Sequence, residues 1–262
     1  MDNSIFYFTG TGNSLKISKD LGDKIHNTNI ISIAKNISKV KALEAKGIVG
    51  FVFPVYYCGI PEIVETFLNN IDLSKASYIF IISVYGATGG NSSINQVKNI
   101  FKKINCKLNS AFYIKGVDNF NIWALKGDIP SIKKQEKIHE SVNKRVKIIS
   151  KIILDKKEHF DKSFVEYIGP IIFQYKNFIK TVKNRDMSFN VGSKCNSCGL
   201  CARICPVKNI KIEITPQWLH RCQFCLGCLH MCPNKAINYK KVTLKRQRYR
   251  NPYVKIEEFF NE

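Results

Sequence analysis

Acidic side chains are scarce in this sequence. Only 20 Asp and Glu stand against 41 Lys and Arg in 262 residues, for a formal charge of +21. No run of 18 apolar residues occurs, which excludes a membrane-spanning helix. The nearest approach, residues 164–179, is interrupted by Glu166, Gly169-Pro170, Gln174 and Lys176. A secretory leader is also missing. Met1-Asp2-Asn3-Ser4 runs straight into the strand-like Ile5-Phe6-Tyr7-Phe8, so the expected compartment is the reducing cytoplasm and disulfides are not the expected use of cysteine. With 45% apolar and 23% charged residues the composition is that of a globular chain, long enough for one or two domains. The basic excess raises nucleic-acid binding, but no recognition motif accompanies it and none is expected. A Lys-, Ile- and Asn-rich composition also follows from base-composition bias.

What is abundant is cysteine in one place. Eight of the ten fall in two runs, Cys195-x-x-Cys198-x-x-Cys201-x-x-x-Cys205-Pro206 and Cys222-x-x-Cys225-x-x-Cys228-x-x-x-Cys232-Pro233. Zinc usually takes two separated C-x-x-C pairs. Three cysteines at steps of three, a fourth four residues on and then proline is the ligand run of a bacterial [4Fe–4S] ferredoxin. Thiolate is a soft, anionic donor suited to such clusters. In two-cluster ferredoxins the fourth cysteine of each run serves the other cluster. One cluster is therefore expected on Cys195, Cys198, Cys201 and Cys232, the second on Cys222, Cys225, Cys228 and Cys205. The runs belong to an internal repeat with an offset of 27, which also maps Lys208 to Lys235 and Ile210 to Ile237. So small a unit has little apolar core, and the clusters must hold it together. Gly199 and Gly227 are expected to relieve crowding near the sulfurs, Phe224 and Trp218 either to shield the clusters or simply to pack, and His220 and His230 not to serve as ligands.

The first half alternates apolar strands with helices: strands at Ile5–Phe8, Ile30–Ile33, Ile48–Phe53, Tyr78–Val84 and Ala111–Lys115, helices at 13–26, Glu62–Asn70 and about 92–104. That pattern predicts a parallel sheet covered on both faces. A long amphipathic helix is predicted from Ser131 to about Lys157, with Ile138, Val142, Val146, Ile149, Ile152 and Ile153 on its apolar face. A second helical stretch, Phe164 to Met187, is dense in aromatics (Phe164, Tyr167, Phe173, Tyr175, Phe178) that read as core or interdomain packing. The tail is basic from Lys240 to Arg250, then acidic, and reads as an exposed segment packed on the fold.

The first strand ends in Thr9-Gly10-Thr11-Gly12-Asn13-Ser14, and a helix follows. Leu15 stands where a dinucleotide fingerprint needs its third glycine, and the Gly-Lys-[Ser/Thr] ending of a P-loop is absent. What remains is a hydroxyl- and amide-rich loop at a helix N-terminus, suited to a phosphate monoester. Two later loops leave the C-terminal ends of strands, where open α/β sheets bind ligands. They are Pro54-Val55-Tyr56-Tyr57-Cys58-Gly59-Ile60-Pro61 and Ser83-Val84-Tyr85-Gly86-Ala87-Thr88-Gly89-Gly90-Asn91. Cys58 reads as a packing residue in a turn, with a redox thiol as the alternative. Cys106 reads as inert.

Together the three loops resemble those of the flavodoxin fold. The resemblance implies a five-stranded parallel sheet in the order 2-1-3-4-5 and a site for FMN. Thr9, Thr11, Asn13 and Ser14 would bind the phosphate, Tyr56 or Tyr57 together with Tyr85 would stack on the isoalloxazine, and the Cys58–Gly59 peptide would neighbour N5 and flip on reduction. Gly10, Gly12, Pro54, Gly86, Gly89, Gly90 and Asn91 complete the expected cofactor set. The whole chain resembles the fused flavodoxin–ferredoxin family of anaerobes, the EFR-type ferredoxins. Phe8 to Ser14, the two cysteine runs, Pro216-x-Trp218 and Arg248-Tyr249-Arg250-Asn251-Pro252 carry that likeness. It implies an FMN domain at 1–160, an aromatic-rich helical linker at 161–189, an α+β 2[4Fe–4S] ferredoxin domain at 190–240 and a tail at 241–262.

The expected function is electron transfer between the two clusters and FMN, joining one-electron to two-electron partners. The alternative is an FMN-dependent reductase of a small organic acceptor such as a quinone, nitro compound or enone, fed by its own ferredoxin domain. Clusters at about −2 each and a flavin phosphate at up to about −2 leave a holo-protein near ~+15. Acidic redox proteins are therefore the expected partners.

Overall fold

The computed structural model describes residues 2–87, 91–125, 127–162 and 169–260, with only the backbone of Asn91 and of residues 169–172. Strand β1 (Asn3–Tyr7) passes through the Thr9–Gly12 loop into helix α1 (Asn13–Ile25). Then come β2 (Thr28–Ser32), the single turn α2 (Ile33–Asn36), a 3-10 segment and β3 (Glu44–Pro54). The alternation continues with α3 (Glu62–Leu68), β4 (Asp72–Tyr85), α4 (Asn91–Lys103), β5 (Ser110–Lys115), α5 (Ile132–Leu154) and β6 (His159–Phe160). The six strands pair in parallel in the order β2-β1-β3-β4-β5-β6, a flavodoxin-like sheet.

Because strand side chains alternate between faces, each strand contributes to two cores. Ile5 and Tyr7 of β1 pack under α1 and α5 with Leu15, Leu21, Val146 and Ile149. Phe6 and Phe8 point the other way, to Phe67 of α3 and Val97 and Phe101 of α4. The two layers of helices leave the C-terminal ends of β1, β3, β4 and β5 open at one edge, which is where the loops gather.

The structure departs from the sequence expectation at the sheet margins. The expected five strands gain a sixth, β6, whose two residues are too few to show a hydrophobic pattern. Asp161 anchors it, accepting the Tyr113 N–H at 2.8 Å and an Arg145 guanidinium N–H at 2.6 Å. Strands β3 and β4 also begin earlier than their apolar runs. Their ladder extends past a register shift beside Gly47, which adopts a left-handed φ of 63°, into a largely polar stretch that no apolar run marks. Within the ladder, Gly50 is pressed against β4: a Cβ there would lie 2.1 Å from the Phe80 ring. Gly50→Ala is expected to destabilise the chain by about 1–3 kcal/mol by overpacking, read as a lower urea midpoint at unchanged slope.

The C-terminal region contains α6 (Gly169–Thr181), a 3-10 segment (Val182–Ser188), β7 (Phe189–Val191), α7 (Leu200–Arg203), β8 (Ile210–Ile212), β9 (Pro216–Trp218), α8 (Gly227–Met231) and β10 (Ile237–Tyr239). Strand β7 pairs antiparallel with β10, and β8 with β9. The repeat offset holds for the backbone as well. Left-handed φ recurs at Ser197 and Phe224, at Gly199 and Leu226, and at Lys208 and Lys235. The glycine at 199 therefore serves a left-handed turn, with no atom within 4 Å of where its Cβ would sit, rather than relieving crowding at a sulfur. Of the aromatics expected to form one helical stretch, Phe164 and Tyr167 lie outside the described residues. Phe178 is buried, while Phe173 is exposed.

The tail is less exposed than its composition suggests. Tyr249, Asn251, Val254 and Phe259 are buried. Lys19 of α1 pairs with Glu258 at 2.7 Å, and the Asn251 N–H donates to the Thr11 carbonyl at 2.8 Å.

Candidate functional site

A cavity of about 300 Å³ opens at the C-terminal edge of the sheet. Of the residues expected around a cofactor, it is lined by Thr9, Gly10, Thr11, Asn13, Ser14, Pro54, Tyr56, Tyr57, Cys58, Tyr85 and Gly86. Gly12 and Gly59 stand outside the lining, Gly89 and Gly90 lie outside the described residues, and the Asn91 backbone opens α4.

The first loop gathers hydroxyls and backbone N–H groups at the start of α1. Gly12 caps α1 with a left-handed φ of 102°, and its N–H donates to Thr9 Oγ1 at 2.9 Å. Thr11 is buried, and its Oγ1 accepts from Asn119 Nδ2 at 2.7 Å. Both hydroxyls are fixed as acceptors, so each retains its own O–H to donate. The first N–H groups of α1 have no partner within the helix. Asn13 contributes less than expected. Its Oδ1 accepts from Tyr249 and Asn251, and its Nδ2 donates to the Val117 carbonyl, so the side chain is consumed by the tail and the β5 loop.

In the second loop Tyr57 and Cys58 both take left-handed φ (48° and 68°), and Tyr56 and Gly59 exchange two backbone hydrogen bonds of 2.9 Å. This is a tight two-residue turn whose central peptide is Tyr57–Cys58, not Cys58–Gly59. Gly59 owes its identity to Tyr175, whose ring would lie 2.2 Å from an added Cβ. Burial pushes the Cys58 thiol up, the opposite of a reactive thiolate, which fits the packing role. Cys106 is raised by burial in the same way.

The three expected stacking residues sit in different surroundings. Tyr57 is stacked on Phe178 at 4.4 Å, and its hydroxyl accepts from Arg185 at 2.8 Å. Tyr56 is wedged edge-on against Phe8, and Cys225 and Cys222 lie close enough to add to the burial that raises its phenol. Tyr85 makes an edge contact with Tyr113.

Sequence reasoning missed a fourth loop, Gly116 to Phe120 after β5, together with Trp123 and Gln174. The rule that identified the other loops, position at the C-terminal end of a sheet strand, applied equally here. The loop lacked a Gly- or hydroxyl-rich pattern to draw attention to it.

Eight cysteines fall into two groups of four. One small cavity is lined by Cys195, Cys198, Cys201 and Cys232, and another by Cys205, Cys222, Cys225 and Cys228. The fourth cysteine of each run thus stands with the three of the other run. The repeat extends to the sulfurs. The Asn209 N–H donates to Cys205 Sγ and the Ala236 N–H to Cys232 Sγ, both at 3.2 Å. Burial pushes Cys201 up to about 12, with the sulfurs of Cys232 and Cys198 adding to it. Burial and the neighbouring sulfurs of Cys222 and Cys205 raise Cys228 well above the ordinary thiol range. Among the described residues, no three His, Cys, Asp or Glu side chains converge as on a single metal ion. Trp218 lines the second cysteine cavity and stacks on Phe189 at 5.5 Å, while Phe224 lines the large cavity.

The two histidines near the runs are engaged elsewhere. His220 Nδ1 lies 2.8 Å from the buried Asp186 carboxylate, which also accepts from Asn209 Nδ2 at 2.8 Å. His230 reaches the Asn119 carbonyl and the Tyr249 N–H, and burial pushes it down to about 4.

The decisive geometry is where the two halves meet. Phe224, Cys225 and Leu226 form part of the wall of the large cavity, and Cys225 also lines the second cysteine cavity. A Cβ on Gly10 would lie 2.3 Å from the Cys225 carbonyl oxygen, and one on Gly227 would lie 3.1 Å from the Gly10 carbonyl oxygen. The first loop and the second cysteine loop are therefore in backbone contact.

A family model described as a flavodoxin domain matches residues 4–121, the segment from β1 through the loop after β5. Similar solved structures include the Trp repressor binding protein from Bacillus subtilis, at 14% identity over 59% of this chain and 97% of that one, TM-score 0.36. The Streptococcus pneumonia TIGR4 flavodoxin is similar at 12% identity over 57% and 99%, TM-score 0.35. The NAD(P)H:quinone oxidoreductase from Methanothermobacter marburgensis is similar at 8% identity over 57% and 97%, TM-score 0.36. No curated protein matches the chain.

Proposed function

We propose that this chain is an electron-transfer flavo-iron–sulfur protein, with FMN in the large cavity and one [4Fe–4S] cluster in each cysteine cavity. The observation that carries the reading is the position of Cys225, a wall of both the large cavity and the second cysteine cavity. When bound, the flavin exchanges one or two electrons and each cubane one, which would join two-electron to one-electron partners.

The residues present fit these groups. Among the described residues no lysine or arginine lines the large cavity, and a phosphate there would be held by Thr9 and Thr11 hydroxyls, loop amides and the positive end of α1. Tyr57 is already half of a stacked pair with Phe178, which makes Tyr85 the better stacking candidate for the isoalloxazine. Thiols pushed up this far by burial ionise only against a compensating cation, which an iron–sulfide core supplies. Each quartet lines a cavity of its own, and the spacing of each run is that of a cubane's ligands rather than of two separated zinc-binding pairs. Phe224 and Leu226, on either side of Cys225, keep water from the junction.

The Cys195 quartet is the outer one. Its Cys198 is exposed, whereas Cys205, Cys222, Cys225 and Cys228 are all half-buried. Exposed Lys194, Lys208 and Lys235 neighbour the cysteine runs in sequence, consistent with an acidic protein partner exchanging electrons there. A role as reductase of a small organic substrate is less well supported. At about 300 Å³ the cavity is at the small end for a cofactor site and leaves little room for a second molecule. Among the described residues its one carboxylate is Asp118, which accepts the Phe120 N–H at 3.0 Å.

The test is anaerobic purification with iron, acid-labile sulfide and FMN quantified, followed by a reductive titration. About eight irons and one FMN per chain are expected. Zinc without sulfide, or no flavin, overturns the reading.

A further inference from the structure

We propose that His230 is a positioning residue that ties the flavin-binding loop to the iron–sulfur centres, so that FMN binding and cluster retention support each other. The inference rests on the cofactor reading above. It adds a coupling between the two kinds of site and names the side chain that carries it.

His230 lies in α8 between Cys228 and Cys232, which stand in different cysteine quartets. Closing either centre therefore fixes the segment that carries the imidazole. The residue is 4% exposed, and both ring nitrogens are engaged. Nδ1 accepts the Tyr249 N–H at 3.2 Å, so the proton resides on Nε2, which donates to the Asn119 carbonyl at 2.8 Å.

Each of these bonds begins an arm that ends in the first loop. In one, Asn119 Nδ2 donates to Thr11 Oγ1 at 2.7 Å. In the other, the Tyr249 hydroxyl donates to Asn13 Oδ1 at 2.6 Å. Thr11 and Asn13 flank Gly12, the cap of α1. One imidazole thus braces both sides of the residue that sets the start of the helix and the aim of its free N–H groups. The brace is geometric and directional. An aliphatic side chain of similar size would fill the space but hold neither arm. Since the coupling is one of binding free energies, it runs equally in both directions.

The test uses the full-length, cluster-loaded protein and reads binding, not turnover. His230→Leu removes both arms. With two hydrogen bonds at about 1 kcal/mol each, its FMN Kd is expected to rise roughly 30-fold, measured by flavin fluorescence, with iron content unchanged. His230→Gln restores a donor near Nε2 and His230→Asn an acceptor near Nδ1, so each should recover part of the affinity. Asn119→Ala severs one arm without touching the cysteine segment, and should weaken FMN severalfold at full iron content. In the reverse direction, saturating FMN should slow iron loss to a chelator in the native protein and not in His230→Leu. Unchanged FMN affinity in Asn119→Ala, or FMN-independent iron loss in a native protein that binds both groups, overturns the inference and leaves the proposed function standing. Native protein without flavin or without sulfide overturns the proposed function itself. Should His230→Leu also lose iron, Asn119→Ala and the native chelation assay still decide the matter.

Discussion

Serine at Cys205 is expected to remove the centre formed with Cys222, Cys225 and Cys228, although Cys205 belongs to the other run. Iron should fall from about eight to about four per chain, and the EPR signal that survives should be that of the Cys195 centre. Serine at Cys232 should do the reverse. The expectation follows from the lining of the two cavities: Cys205 lines the one with Cys222, Cys225 and Cys228, and Cys232 the one with Cys195, Cys198 and Cys201. The matching 3.2 Å N–H···S contacts at Cys205 and Cys232 show both crossing sulfurs held in equivalent settings. The two variants should also differ in what they do to the flavin. The centre lost in Cys205→Ser is the one whose Cys225 also lines the large cavity, so on the proposed function a one-electron donor should no longer reduce FMN there at the native rate. If instead Cys205→Ser silences the Cys195 centre, the crossed assignment is wrong.

The sheet and the grouping of the cysteines were legible in the sequence because each repeats a simple rule. Continuous apolar strands such as Phe51 to Phe53 belong only in a sheet covered on both faces, and the cysteine spacing names its own partners through the offset of 27. The first three loops were legible because glycine, hydroxyl and aromatic residues cluster after strands. The loop after β5 was not, since Val117, Asp118, Asn119 and Phe120 form no pattern until the fold places them opposite Thr11. Strand β6 and the polar ends of β3 and β4 were hidden for a related reason: short or exposed ladders are specified by hydrogen bonding and register, not by hydrophobic period. Gly59 carries a steric demand that its turn does not announce. A side chain there would meet the ring of Tyr175, which comes from a distant segment and whose hydroxyl donates to the Ile60 carbonyl. Buried Asp186 and Arg185 carried no signal, since their partners His220, Asn209 and Tyr57 come from distant segments.

The same limit applied to the most consequential contact in the molecule, the one between Gly10 and Cys225. Each residue was assigned to its own motif, and nothing in either motif announces the other. Gly10→Ala is expected to separate them. Its Cβ would stand 2.3 Å from the Cys225 carbonyl oxygen and 3.2 Å from Cys225 Cβ, and backbone held in place by a cysteine quartet cannot step aside as a flexible side chain can. With an overpacking cost of about 1–3 kcal/mol falling on the loop that cradles the phosphate, FMN affinity should fall by roughly 5- to 150-fold. Both clusters should remain, because no cysteine is altered, yet the rate at which they reduce the residual bound flavin should fall as well. Gly227→Ala meets the Gly10 carbonyl oxygen at 3.1 Å, which a shift of a few tenths of an ångström can relieve, so its effect should be in the same direction and smaller. Gly192→Ala meets only the Ala236 carbonyl oxygen, at an ordinary 3.6 Å, and should be silent. Native affinity and native flavin reduction in Gly10→Ala would mean that the two loops merely lie side by side. The graded series Gly10, Gly227, Gly192 instead ties the loss to the distance at which each glycine is met.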